Sequence, residues 1–158
     1  MSSFKKALII LILYMLPGCA IIKNLPDNNT EFRIHPLGMP VYNQTGSPFS
    51  ESQWNFNFFI IEGAYEEFKA CAGIINKDAE ERLLKTPIII IPAEKIDLPG
   101  EEAIAFIDLY NMFIRKDFFD APTLRHEWTH VYLYLSGKYI LGDLYHKDPF
   151  FKKCYAHN

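Results

Sequence analysis

Residues 126 to 130 read His126-Glu127-Trp128-Thr129-His130. If this stretch is helical, histidines four apart project from one face and can both reach one zinc ion. Glu127 then lies beside the metal, where it can take a proton from a water that the metal polarises. Metal-assisted hydrolysis with a carboxylate base is the chemistry this spacing points to.

A catalytic zinc ordinarily takes three protein ligands, so a third is expected. No glutamate follows Glu127, which excludes a later Glu ligand. The longer pattern HExxHxxGxxH fails as well, because Leu133 and Ser136 stand where it needs Gly and His. The downstream candidates are Asp143, His146, Asp148 and His157. His146 is favoured, since turns after Gly137 and at Gly142-Asp143 can fold the chain back beneath the helix. Asp143, three residues earlier, is placed to accept a hydrogen bond that orients the His146 ring.

The elements that must position these residues are legible on either side. Asp120 is an N-cap candidate, Pro122 falls in the first turn, and Gly137 follows the last periodic residue, bracketing a helix of about four turns. Leu124, Trp128, Val131 and Leu135 form its apolar stripe, with His126 and His130 on nearly the opposite side. Upstream, Pro87-Ile88-Ile89-Ile90-Ile91-Pro92 reads as a short buried strand. Ala103 to Ile107 and Met112 to Lys116 read as two further strands joined by a turn at Asp108-Leu109-Tyr110-Asn111. Ser50-Glu51-Ser52-Gln53 has the form of a capping box, and Trp54, Phe58, Ile61, Tyr65, Phe68 and Ala72 recur at helical spacing. A long helix from about Glu51 to Ala70 is expected to pack this stripe on a sheet, and a short capped helix is expected over Asn76 to Lys85.

The N-terminus carries Lys5 and Lys6, an apolar run from Ala7 to Leu16, and Leu16-Pro17-Gly18-Cys19, which resembles a bacterial lipobox. The expectation is a signal peptide over residues 1–18, lipidation at Cys19, a tether over 19–30 and a single domain over 31–158. The apolar run of about ten residues is too short to span a bilayer, which takes ~20. Ala20 after the cysteine points to the outer membrane of a bacterial envelope. Cleavage after Gly18 removes two of the sixteen basic residues, leaving fourteen against nineteen acidic and a formal charge of −5. No basic footprint for nucleic acid is present. With Cys19 acylated, Cys71 and Cys154 remain as a candidate disulfide for an oxidising compartment.

Together, His126-Glu127-Trp128-Thr129-His130 and the nearby His146-Lys147-Asp148-Pro149-Phe150 resemble the compact zincin metallopeptidases, of which SprT-like proteases are one branch. The resemblance covers about residues 87 to 151. It implies an α+β fold in which a long N-terminal helix packs on a small sheet beside the helix carrying HExxH. It also implies one zinc per chain on His126, His130 and His146, Glu127 as general base, and a peptide or protein substrate. By analogy Met112 to Arg115 would be the sheet edge that pairs with an extended substrate. Tyr139, Tyr145 and Tyr155 are the candidate oxyanion donors. The function expected is thus a zinc endopeptidase held to the membrane through Cys19. The competing expectation is a zinc-binding envelope lipoprotein that holds extended segments as an assembly or chaperone-like factor.

Overall fold

Four consecutive isoleucines, Ile88–Ile91, are all buried, the pattern of a strand covered on both faces. They form β3 at the centre of a five-stranded mixed sheet. The computed structural model describes residues 30–73, 76–93, 97–98, 101–102, 105–107, 111–139, 143 and 146–154. The signal peptide, Cys19, nearly all of the tether, Tyr145, Tyr155, His157 and most of the turn at 108–111 lie outside these residues.

The chain begins with an antiparallel hairpin, β1 (Glu31–Ile34) and β2 (Pro40–Asn43), which the sequence reading did not anticipate. Strands this short, with Pro40 and Asn43 inside, carry little periodicity. Next come α1 (Glu51–Ala72), α2 (Lys77–Leu84) and β3. Two-residue strands β4 (Asp97–Leu98) and β5 (Glu101–Glu102) pair with each other. Strands β6 (Ala105–Ile107) and β7 (Met112–Arg115), then α3 (Ala121–Leu135) and α4 (Pro149–Cys154), complete the order. The sheet runs β1-β2-β3-β7-β6, with β2, β3 and β7 parallel and both outer pairs antiparallel. The fold is α+β.

The expected substrate edge requires correction. Strand β7 lies between β3 and β6, with Met112, Phe113, Ile114 and Arg115 all buried. Among the described residues β6 closes this side of the sheet. The hairpin that places Ala105 opposite Ile114 makes β7 an interior strand, and a run of apolar residues does not by itself tell which arm of a hairpin faces outward.

Helix α1 begins as the capping box predicts: the Gln53 N–H donates to Ser50 Oγ, and the Ser50 N–H donates to Gln53 Oε1. Its stripe of Trp54, Ile61, Ala64, Tyr65 and Phe68 is buried against Val41, Ile88, Ile90, Met112 and Ile114 of the sheet. The helix runs to Ala72, two residues beyond expectation, and so carries Cys71 within it. Asn76 caps α2 through the Asp78 and Ala79 N–H groups. Helix α3 packs on α1: the Trp128 ring stands edge-on to Tyr65 at 5.7 Å, and Arg125 pairs with Glu67 at 2.9 Å. Helix α3 is therefore anchored on α1 by the ring contacts of Trp128 with Tyr65 and Phe68, by that of Tyr132 with Phe68, and by one ion pair.

Candidate metal centre

Both ends of α3 are stopped by local chemistry, which fixes where its histidines point. At the start, the Asp120 carboxylate accepts the Thr123 N–H at 2.8 Å, and Pro122 occupies the first turn, where its missing N–H leaves nothing unsatisfied. At the end, Gly137 adopts φ 71°, its N–H reaches the Tyr134 carbonyl, and the Lys138 N–H reaches the Leu133 carbonyl. That pair of bonds is a Schellman stop, and a side chain at Gly137 would strain its left-handed backbone. Leu124 and Trp128 face the core at no exposure, and Val131 is buried with them. His126 and His130 then share the other side.

His126 Nε2 and His130 Nε2 are 3.2 Å apart, and His146 Nε2 is 3.2 Å from His130 Nε2. Ligand atoms of all three lie within 4.8 Å of one another, the one such group among the described residues. Two nitrogens on a tetrahedral zinc at the usual bond length would lie about 3.3 Å apart, so two of the three pairs already have the spacing of ligands to one metal. Hydrogen bonding accounts for it less well. A ring nitrogen carries one N–H or one in-plane lone pair, so His130 Nε2 cannot make two good bonds to the other two nitrogens. A cation between the rings uses all three lone pairs. Burial, and then the proximity of His130 and His146, lower the pKa of His126 to about 4, keeping its lone pair available.

Glu127 is buried at 5% exposure on the same helix, and burial raises its carboxyl to about 8. A cation held by the flanking histidines would draw that value down again, because opposite charge favours the carboxylate.

His146 reaches the cluster from a loop that is held at several points. Asp143 and His146 both have positive φ, at 58° and 52°, the left-handed conformation that tightens this turn. The His146 N–H donates to the Asp143 carbonyl at 2.9 Å, and the buried Asp143 carboxylate accepts the Asp148 N–H. Asp143 was expected to orient the imidazole; the hydrogen bonds it makes are to the backbone, so it shapes the turn on which the ring is mounted. Asp148, also buried, caps α4 by accepting the Phe150 N–H and pairs with the Lys138 ammonium. Burial works against the Asp148 charge, but Lys138 and the Phe150 N–H outweigh it and hold the carboxyl below its usual range. Neither Asp143 nor Asp148 belongs to the ligand cluster. The Tyr139 hydroxyl adds a smaller effect that also holds the Asp148 carboxyl down.

Cys71 of α1 and Cys154 of α4 form a disulfide with their Cα atoms 5.3 Å apart. It closes the segment after His146 onto the body of the domain. The parts played by Lys138 and Phe151 carry no signal in the sequence; Asp148, a ligand candidate there, serves instead as the cap, and its place directly before Pro149-Phe150 is the signal for that. No family model matches the chain, and no curated protein and no solved structure matches it.

Proposed function

We propose that the chain is a zinc-dependent endopeptidase of the bacterial envelope, a compact zincin in which His126, His130 and His146 hold the metal. The observation that carries this reading is the convergence of three imidazole nitrogens beside a buried carboxylate on the same helix. Imidazole suits several divalent metals; three neutral nitrogen ligands with room for a further ligand are the usual catalytic arrangement of zinc. Bound there, the metal would supply Lewis acidity, lowering the pKa of a water and polarising the scissile carbonyl.

The chain's own residues do the rest. Glu127, one residue along the helix from His126, accepts the proton of the attacking water and returns it to the leaving amine. Its burial withholds competing water, and the charge of a bound cation would support its ionised form. Strand β6, terminal in the sheet and packed beside α3, is the edge on which an extended peptide would add by main-chain hydrogen bonds. The disulfide supports an oxidising compartment, in line with the export signal and Cys19 lipobox, and among the described residues no helix is long and apolar enough to cross a membrane.

The test is cleavage of an unfolded protein by the zinc-loaded chain, beside Glu127→Gln. Loss of cleavage in a variant that still binds zinc supports the endopeptidase. A folded, zinc-loaded wild type that cleaves no faster than Glu127→Gln would overturn it and leave the holding role of an envelope assembly factor.

A further inference from the structure

Phe151 is buried at 4% exposure, yet it lies outside the contiguous apolar cluster that the helices and the sheet share. Its neighbours are the histidines. The ring centroid lies 4.5 Å from that of His130, 4.6 Å from His146 and 5.4 Å from His126, and its plane is inclined by 54–58° to all three. The imidazoles themselves are 4.8–5.0 Å apart, so among the described residues these four rings form one group in which Phe151 is the apolar member.

We propose that Phe151 is a positioning residue for the metal centre: its ring fixes the orientation of all three imidazoles and closes one side of the cluster to water. The proposal rests on the reading of His126, His130 and His146 as metal ligands. A phenyl ring can neither ligate nor hydrogen-bond, so the side it covers offers an ion no further ligand. Three imidazoles packed on one rigid ring also have less rotamer freedom to lose when they bind. The apolar side lowers the local dielectric, which strengthens the attraction between cation and ligands.

The element that presents Phe151 is short and would not form alone, and its attachments explain why it is there. Asp148 caps its first turn, and Cys154, one turn after Phe151, is bonded to Cys71 of α1. Phe150 stacks on Tyr132 at 5.4 Å and meets Phe68 at 6.1 Å, so that it docks α4 on α3 and α1. Adjacent residues thus divide the work: Phe150 holds the helix to the domain, and Phe151 faces the imidazoles.

The experiment uses the full chain and Co²⁺ as the probe, read by visible absorption, with zinc affinity measured by competition. Phe151→Ala and Phe151→Leu are compared with Phe150→Ala as the docking control. Wild type is expected to bind one Co²⁺ with the intense bands of a four-coordinate site. Phe151→Ala is expected to weaken metal binding by about 10–100-fold and to lose band intensity as water enters the coordination sphere. Phe151→Leu should change both readings in the same direction by less. Phe150→Ala should lower the melting temperature, but with the Asp148 cap and the Cys71–Cys154 bond still holding α4 the folded protein should keep a spectrum and an affinity close to wild type. Wild-type readings in a folded Phe151→Ala overturn the proposal, as does an equal spectral change in Phe150→Ala. If Phe151→Ala does not fold, Phe151→Leu decides: a shift supports the proposal and none overturns it. A wild type that binds neither Co²⁺ nor zinc refutes the metal reading itself, and the proposal with it.

Discussion

His130 and His146 present Nε2 atoms 3.2 Å apart although sixteen residues separate them, the same distance that His126 and His130 reach across one helical turn. The helix pair needs only α3; the loop pair needs Asp143, Asp148 and the disulfide to bring the chain back. Removing His146 therefore tests the tertiary part of the site without disturbing the helical part. His146→Asn keeps a side chain that tolerates positive φ. Zinc stoichiometry by elemental analysis should fall from one per chain. The stabilisation wild type gains from excess metal, about 2.7 kcal/mol at a hundred times Kd, should largely vanish. Retention of both in the variant would remove His146 from the ligand set.

Glu127 is a buried acid whose carboxyl is raised to about 8 from an ordinary value near 4.5, and this has a cost in stability that runs with pH. As pH rises above about 4.5 the unfolded chain loses this proton first, so stability falls through the window up to about 8. Glu127→Gln has no charge to bury. After dialysis against a chelator at pH 7 it should be more stable than wild type by up to about 3 kcal/mol. Adding zinc should narrow the gap, because the cation stabilises the carboxylate and not the amide. Denaturant melts at two pH values check it, and an equal or lower stability of the glutamine variant would count against a desolvated Glu127.

His35 supplies the second pH dependence, with the opposite sign. Its Nε2 lies 3.1 Å from the Phe58 carbonyl, and its Nδ1 is 3.1 Å from the Leu37 N–H, so only the neutral ring with the proton on Nε2 satisfies both. Burial lowers its pKa below 6.5. The unfolded chain then binds this proton first as pH falls, and stability present above about 6.5 is lost as pH drops below it. His35→Gln can donate and accept in the same places without titrating. Its melting temperature should fall less steeply than that of wild type between pH 7 and 5; parallel curves would refute the assignment.

The disulfide joins residues 83 positions apart, and its contribution comes chiefly from restricting the unfolded chain. Cys71→Ser with Cys154→Ser should destabilise the domain by about 2–4 kcal/mol, as read from denaturant midpoints. The same variant should bind zinc more weakly, since α4 carries Phe151 and is capped by Asp148, which braces the His146 turn. Unchanged zinc affinity in the folded double variant would show that the cap and Phe150 hold α4 unaided.

The parts of the fold legible in the chain were those in which local chemistry and periodicity agree. The capping box at Ser50-Gln53, the aromatic stripe of α1, the proline-bracketed isoleucines of β3, and Asp120 and Gly137 at the ends of α3 each announce an element without reference to anything distant. The hairpin of β1 and β2 was not legible. Its strands are four residues long, and their pairing to β3 is contributed by a segment more than forty residues later. Which arm of the β6-β7 hairpin faces outward was equally hidden, because both arms are apolar and only β3 decides which one is enclosed.

The same division runs through the site. HExxH by itself determined that two imidazoles and a carboxylate share one helix, since a spacing of four is one turn whatever the helix packs against. It could not determine the third histidine. Among Asp143, His146 and Asp148, what separates the residue that joins the cluster from its supports is a turn with two left-handed residues, closed by a buried carboxylate on a backbone N–H. Nor could spacing reveal Phe151, whose role follows from three ring contacts to residues as many as 25 positions away. Local geometry follows from neighbouring residues, whereas a three-histidine cluster built from a helix and a distant loop exists only once burial has brought them together.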